Sequence, residues 1–411
     1  MASHHKILIV GGGTAGITVA ASLRRRGPSG LDIAIVEPAD THYYQPAFTL
    51  VGAGKYQLAR TARPTDSLLP PGVIRLRTSV AGFDPDHNQV QLADGSTVSY
   101  DILVVCTGLK LDWGKVVGLA EAVGRNGVCS NYSPGHVSYT WECLQALKPG
   151  DTAIFTQPPL PFKCPGAPQK IVYLASDYLR KKAIRDKVGV KYFVHAPVIF
   201  GVPFFARALA KIAAGHGITP SYNHNLVAIN AASKSATFEI TGGERIDVPY
   251  TMLHVSPPQS PPDVVKSSKL ANPAGYVDVH QNSMQQTSYP NVFALGDVAS
   301  TPNSKTAAAV RKQAPVVVRN ILAVLAGRPV ESGYDGYASC PLTTSDGRAI
   351  IAEFVYGGKV TPTIPLLNPG QERKLGWWIK LTGLPILYWH YMLKGHEWFP
   401  RHNTDFKEPT P

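Results

Sequence analysis

Apolar and polar positions fall into blocks that read as strand, turn and helix. Lys6-Ile-Leu-Ile-Val10 is an apolar, β-branched run; it breaks into Gly11-Gly-Gly-Thr-Ala-Gly16 and resumes as the Ala-rich segment 17–26. The pattern predicts a strand, a tight turn and a helix, followed by a second strand at 33–37 that ends on Glu37. Further strands are predicted at 73–80 and 100–105, the latter delivering Cys106-Thr107-Gly108 to its carboxyl end. Asp84-Pro-Asp86 and Asp94-Gly95 punctuate a pair of short antiparallel strands between them. A second unit repeats the order: strand at 151–156, helix at 171–181, strand at 188–194, helix at 201–215. Tyr289-Pro-Asn-Val-Phe-Ala-Leu-Gly-Asp297 then runs into a helix from about Lys305. Strands alternating with helices predict an α/β protein with two Rossmann-type domains.

The first glycine cluster places Gly11, Gly13 and Gly16 in the G-x-G-x-x-G pattern. Gly11 allows the turn, Gly13 lets a pyrophosphate approach the backbone, and Gly16 lets helix and strand pack closely. Phosphates then meet the free N–H groups at the helix start, and Glu37, about twenty residues on, is placed for a ribose. The corresponding loop of the second unit differs in kind. It reads Gln157-Pro-Pro-Leu-Pro-Phe-Lys-Cys164-Pro-Gly-Ala-Pro-Gln-Lys170, with one glycine and a cysteine among prolines. Proline lacks an N–H and fixes φ, so this loop is poorly suited to a second pyrophosphate. The Rossmann order is kept while the nicotinamide-nucleotide signature is missing.

The final section changes character. Residues 372–401 hold Trp377, Trp378, Trp389 and Trp398, four of the chain's six tryptophans, with Tyr388, Tyr391, Phe399, Lys374, Lys380, Lys394 and Arg401. Gly383-Leu-Pro385 is expected to split it into two short amphipathic helices, neither long enough to span a bilayer. Tryptophan, tyrosine and lysine together suit the headgroup interface, so the segment reads as monotopic.

Length adds that 411 residues make two or three domains. A formal charge of +12 raises an anionic partner, yet no Lys/Arg run or recognition motif supports nucleic acid. Five cysteines without a C-x-x-C pair argue against a disulfide scaffold and against a metal site. The first strand begins too early to leave room for a secretory signal.

With Cys164 and Gly296-Asp297 in view, the chain resembles the two-dinucleotide-fold flavoprotein disulfide reductases. Within them it is similar to the sulfide:quinone oxidoreductases of the mitochondrial-type branch. The resemblance rests on residues 162–170, Tyr43-Tyr-Gln-Pro46, Leu50-Val-Gly-Ala-Gly54, Ser130-Asn-Tyr-Ser133, Ser260-Pro-Pro-Asp263, residues 304–310 and Tyr334-Asp-Gly-Tyr-Ala-Ser-Cys-Pro341. It implies FAD as cofactor, held by Gly11, Gly13, Gly16, Glu37, Gln45, Thr107, Gly108 and Asp297. It further implies that Cys164 and Cys340 are the two redox cysteines. The implied division is an FAD domain in two parts, 1–110 and 286–335, a second Rossmann-like domain at 111–285, and a C-terminal membrane and quinone region at 336–411.

The resemblance also implies sulfide and ubiquinone or a related quinone as substrates, and sulfide, glutathione or sulfite as sulfur acceptor. The membrane surface is met through the C-terminal helices, and a homo-oligomer is compatible. Localisation is expected at an inner or cytoplasmic membrane; with no presequence-like segment, a bacterial cytoplasmic face is favoured. Within this reading Lys163 is a candidate for favouring a thiolate at its neighbour Cys164, and Tyr388 and Trp389 are placed near the quinone. Cys129 falls close to where bacterial relatives carry a third cysteine. Cys106 and Cys143 read as structural, and His195 as a hydrogen-bonded structural histidine. Rival readings are a type-II NADH:quinone dehydrogenase, which needs the missing second glycine loop, a soluble flavocytochrome-type sulfide dehydrogenase, and a non-catalytic flavin-bound scaffold.

Overall fold

The computed structural model describes residues 3–364, 367–397 and 406. Among the described residues the first sheet runs in the order Val73–Leu76, Ile33–Val36, Ser3–Val10, Thr97–Val105, Gln89–Leu92, Val80–Asp84. Its first four strands are parallel, and Val292–Ala294 joins them by pairing in parallel with Thr97–Val105. Ile7, Leu8, Ile9, Ile33, Ile35 and Val104 are fully buried, as expected of a parallel sheet covered on both faces. The run expected as one strand at 73–80 is two. Val73–Leu76 extends the parallel sheet, whereas Val80–Asp84 crosses to its far edge and pairs antiparallel with Gln89–Leu92.

The second sheet is entirely parallel, in the order Val128–Cys129, Met252–His254, Thr152–Gln157, Gly189–Val194, Pro220–Tyr222. The helices Ala167–Lys181 and Pro203–Gly215 follow its strands, and three antiparallel strands, His224–Asn230, Ser235–Ile240 and Arg245–Pro249, lie beyond it. Both sheets therefore direct the carboxyl ends of their strands to connecting loops, which is where open α/β sheets bind ligands. The helix Ala307–Leu325 follows the return strand of the first sheet, and the hairpin Ala338–Ser345 with Arg348–Phe354 packs against the Ala167–Lys181 helix.

The C-terminal section is one helix, 374–390. Lys374–Trp378 and Leu384–His390 are α-helical, and Ile379–Gly383 between them is a π turn. Gly383 keeps helical torsions, φ −62° and ψ −49°, so the expected break at Gly383-Leu-Pro385 does not occur. The Leu384 N–H reaches back to the Ile379 carbonyl, and the widened turn absorbs the proline that would otherwise clash with a carbonyl of the preceding turn. No described helix is long and apolar enough to cross a membrane. Trp398, Phe399 and Arg401 lie outside the described residues.

Candidate active site

A cavity of about 1000 Å³ opens where the two domains and the C-terminal helix meet. The glycine loop forms one wall. Gly11 sits at φ +103°, and a Cβ there would lie 2.5 Å from the Cys106 carbonyl oxygen. A Cβ on Gly16 would lie 1.9 Å from the Gly11 carbonyl oxygen, so helix and strand can approach only with glycine at that position. Gly13 and Gly108 have nothing within 4 Å of the missing Cβ, and both line the cavity. Glu37 lines it too. Its carboxylate accepts from the Gly12 and Ala39 backbone N–H groups, 2.7 Å each, which leaves further lone pairs for a ribose.

Thr107 Oγ1 is buried without a protein partner on the same wall. Asp297, deep in the cavity wall, has its carboxyl pushed up by burial, with Lys163 and Lys305 opposing the shift. Thr306 caps the helix Ala307–Leu325 by accepting from Ala309 N, and Ala307 and Ala308 present that helix start to the cavity with methyl-sized side chains. Open space beside two glycines, an orphaned hydroxyl and a free acid fit the pyrophosphate, ribose and ribityl parts of a flavin dinucleotide. A helix N-terminus fits the charge that a reduced isoalloxazine carries.

The opposite wall carries sulfur. Cys164 ends the proline loop at φ +51°, in the left-handed region; its N–H donates to the Lys305 carbonyl at 2.9 Å and its own carbonyl accepts from Ala167 N at 2.7 Å. Cys340 lies buried in the strand Ala338–Ser345, close enough to Cys164 for each thiol to shift the other's titration. Gly166 permits the approach of helix and strand, because a Cβ there would come within 2.4 Å of Leu342 Cδ2.

Two lysines flank the pair. Lys170 Nζ donates to Cys164 Sγ at 3.1 Å, and the buried Lys380 of the C-terminal helix donates to the Pro46 carbonyl at 2.6 Å. The Cys340 thiol, donating to Cys164, holds that thiol well below its usual range; Lys170 and Lys380 act in the same direction, against burial. Cys340 is pushed up by the same contact and by burial, so the shared proton stays on Cys340. Burial, then the charge of Lys170, push Lys380 down to about 7.

Lys163, expected to act on Cys164, points elsewhere. Its Nζ donates to Gln45 Oε1 at 3.2 Å and its charge faces Asp297, so both it and Gln45 border the cofactor side of the cavity. Cys129 is fully buried beside Cys143, and neither lines the cavity. Cys106 is buried at the end of its strand, its carbonyl packed against Gly11. His195 is absent from the cavity wall, whereas His254, not singled out by the sequence, lines it. Burial holds His254 neutral, down to about 3, and its Nε2 accepts from Asn131 N at 3.2 Å.

The third wall is apolar. Among the described residues, five of the large exposed hydrophobic side chains stand on the cavity's rim: Ile364, Leu375, Trp378, Ile386 and Tyr391. Trp378 is the most open of these, at 56% exposure. Tyr388 is buried beneath them and lines the cavity, but Trp389 does not. Trp389 packs edge-on against Tyr388 and His42 and lies under the Arg63 guanidinium, 4.8 Å away. It is part of the core rather than a quinone contact.

Residues 5–130 and 194–314 match the family described as pyridine nucleotide-disulphide oxidoreductase. The chain is 44% identical over 402 residues to the mitochondrial sulfide:quinone oxidoreductase of Dictyostelium discoideum, covering 98% of this chain and 88% of that one. It is 42% identical to the mitochondrial sulfide:quinone oxidoreductase of Mus musculus, covering 96% and 87%. The sulfide:quinone oxidoreductase from Aquifex aeolicus has the same fold, with a TM-score of 0.80 at 24% identity over 96% of this chain and 92% of that one. The expected bacterial cytoplasmic face gains no support, since the two similar relatives above are eukaryotic and carry mitochondrial names.

Proposed function

This chain belongs to the sulfide:quinone oxidoreductases, FAD-dependent enzymes, and we propose that Cys164 and Cys340 are the pair through which it oxidises sulfide. The observation that carries the reading is their meeting. Two cysteines far apart in sequence come together beside Lys170 and Lys380, Cys164 on the wall of the cofactor cavity and Cys340 buried behind it.

In the oxidised enzyme the two sulfurs are bridged, directly or through further sulfur. Hydrosulfide attacks the Cys340 sulfur, the bond to Cys164 breaks, and Cys340 is left as a persulfide while Cys164 leaves as a thiolate. The direction follows from leaving-group chemistry, because the thiol of lower pKa departs faster. Lys170, in contact with Cys164 Sγ, holds the new negative charge. A second nucleophile (sulfide, glutathione or sulfite) then takes the outer sulfur from Cys340 as its own persulfide and leaves the Cys340 thiolate beside that of Cys164. Closure of the Cys164–Cys340 bridge releases two electrons, which FAD, when bound, would accept and pass to a quinone.

The FAD contacts fall to Gly11 and Gly13 at the pyrophosphate, with Gly16 packing the helix beneath the loop, Glu37 at the ribose, Thr107 and Gly108 opposite them, Gln45 beside the flavin, and Asp297 at the ribityl chain. The parts 1–110 and 286–335 act as one FAD domain, 111–285 as its partner, and 336–411 as the redox-cysteine and quinone region. The quinone enters between Leu375, Trp378 and Ile386, whose exposed apolar rim also suits a peripheral seat on a membrane surface. The test is anaerobic: sulfide should bleach the flavin of the wild-type protein but not of Cys164→Ser or Cys340→Ser. Bleaching by NADH with no response to sulfide would sink the reading in favour of an NADH:quinone dehydrogenase.

A further inference from the structure

The C-terminal helix grips the glycine loop at the cavity wall. The buried Tyr388 hydroxyl lies 2.7 Å from Thr14 Oγ1 and 2.6 Å from His42 Nε2. The same imidazole faces the Gly12 backbone, whose pull on the ring proton opposes the effect of burial. Tyr388 thus bridges Thr14 and His42 through two short hydrogen bonds beside Gly12. Gly12 and Thr14 bracket Gly13, whose open side faces the cavity.

The turn after the helix fastens it a second time. Gly395, at φ +72°, passes so close to the glycine-loop helix that a Cβ would lie 2.5 Å from Ser22 N, and Ser22 Oγ donates to its carbonyl at 3.2 Å. Glu397 pairs with Arg26, the last residue of that helix, at 2.6 Å.

We propose that this segment is a cofactor latch. The Thr14–Tyr388–His42–Gly12 array, backed by the Gly395 seat, orders the pyrophosphate loop, and FAD leaves only when the helix lifts. Three consecutive glycines lose more backbone freedom on ordering than any other residues, so an array that orders them beforehand lowers the cost of holding the cofactor. Tyr388 and His42 are positioning residues that act through the loop. The helix that carries the apolar rim is thereby also the element that retains the flavin.

The test follows FAD release from diluted holoenzyme by the rise of free-flavin fluorescence. Tyr388→Phe should release FAD about tenfold faster, the scale of one buried hydrogen bond lost. The double variant with His42→Gln should add little, because a single array has already been broken. Holo Tm should fall by more than apo Tm, so that the difference between them narrows. Unchanged release, or equal falls in holo and apo Tm, would overturn the latch and leave a purely structural contact. Should Tyr388→Phe fail to fold, His42→Gln alone carries the same measurement.

Discussion

The chain contains two strand-to-helix loops at equivalent places in two similar sheets, and they do opposite things. In the first, Gly11 and Gly16 let backbones touch and Gly13 leaves open space toward the cavity. In the second, the Cys164 N–H is taken by the Lys305 carbonyl, Phe162 is fully buried, and the helix starts behind a sulfur atom. The first loop offers backbone donors to phosphate. The second has used its donor within the protein and offers a thiol of depressed pKa. One fold, built twice, thus yields a glycine cradle on one side and a cysteine pair flanked by lysines on the other. The second loop offers a nicotinamide dinucleotide no glycine cradle, which supports the proposed entry of electrons through sulfur.

The strongest way to break the contrast is to remove the sulfur. Cys164→Ser or Cys340→Ser should cut sulfide-dependent quinone reduction on the order of 10³-fold or more while FAD stays bound, as its visible spectrum would report. Next come the glycines. Gly16→Ala should abolish both folding and FAD content, because the added carbon meets a backbone carbonyl at 1.9 Å. Gly13→Ala, with space around it, should leave the apo protein as stable as before and weaken FAD binding about tenfold or more, measured by titration of apoprotein with FAD.

A finer test concerns charge. Lys170→Met removes the ammonium in contact with Cys164 Sγ. Because the folded thiol pKa is depressed, its thiolate is present above that pKa and lost as pH falls through it. The variant should move this loss to higher pH and slow flavin reduction about tenfold at neutral pH. An unshifted profile would assign thiolate stabilisation to the Cys340 thiol and Lys380. A smaller acid effect is expected at the latch. Burial holds His42 down to about 4, so it is neutral when folded and regains its ordinary pKa near 6.5 when the helix lifts. FAD release should be constant above about pH 6.5 and accelerate as pH falls from 6.5 toward 4, because the opened form binds the extra proton. His42→Gln should be flat across that window. Tyr44, Tyr388, Trp389 and Arg63 surround the imidazole, and none of them titrates there. The smallest effect belongs to the rim: Trp378→Ser should lower co-sedimentation with anionic vesicles severalfold while leaving sulfide-driven flavin bleaching intact.

The first sheet, its glycine turn and Glu37 were legible because strand, turn and helix chemistry there is local. The proline loop was legible as a departure from that chemistry. The meeting of Cys164 with Cys340 was not, since no periodicity links two such distant positions; only family resemblance suggested it. Lys170 and Lys380 escaped notice because a lysine among apolar residues reads as a snorkelling surface group until the fold shows both buried beside sulfur. The nearest basic residue in sequence, Lys163, drew attention that distance in space does not support. Gly383 and Pro385 misled for a related reason: each disfavours a helix by itself, and the π turn that admits them leaves no local sequence signal. Trp389 reads as interfacial by type, yet it is buried against His42 and Tyr44.

The central claim, that electrons reach FAD from sulfide through Cys164 and Cys340, is tested most directly by one anaerobic titration followed at the flavin absorbance. Stoichiometric sulfide should bleach the wild-type flavin, a soluble quinone should restore it, and NADH should leave it unchanged. Equal bleaching of Cys164→Ser by sulfide, or bleaching of the wild type by NADH alone, would contradict the account.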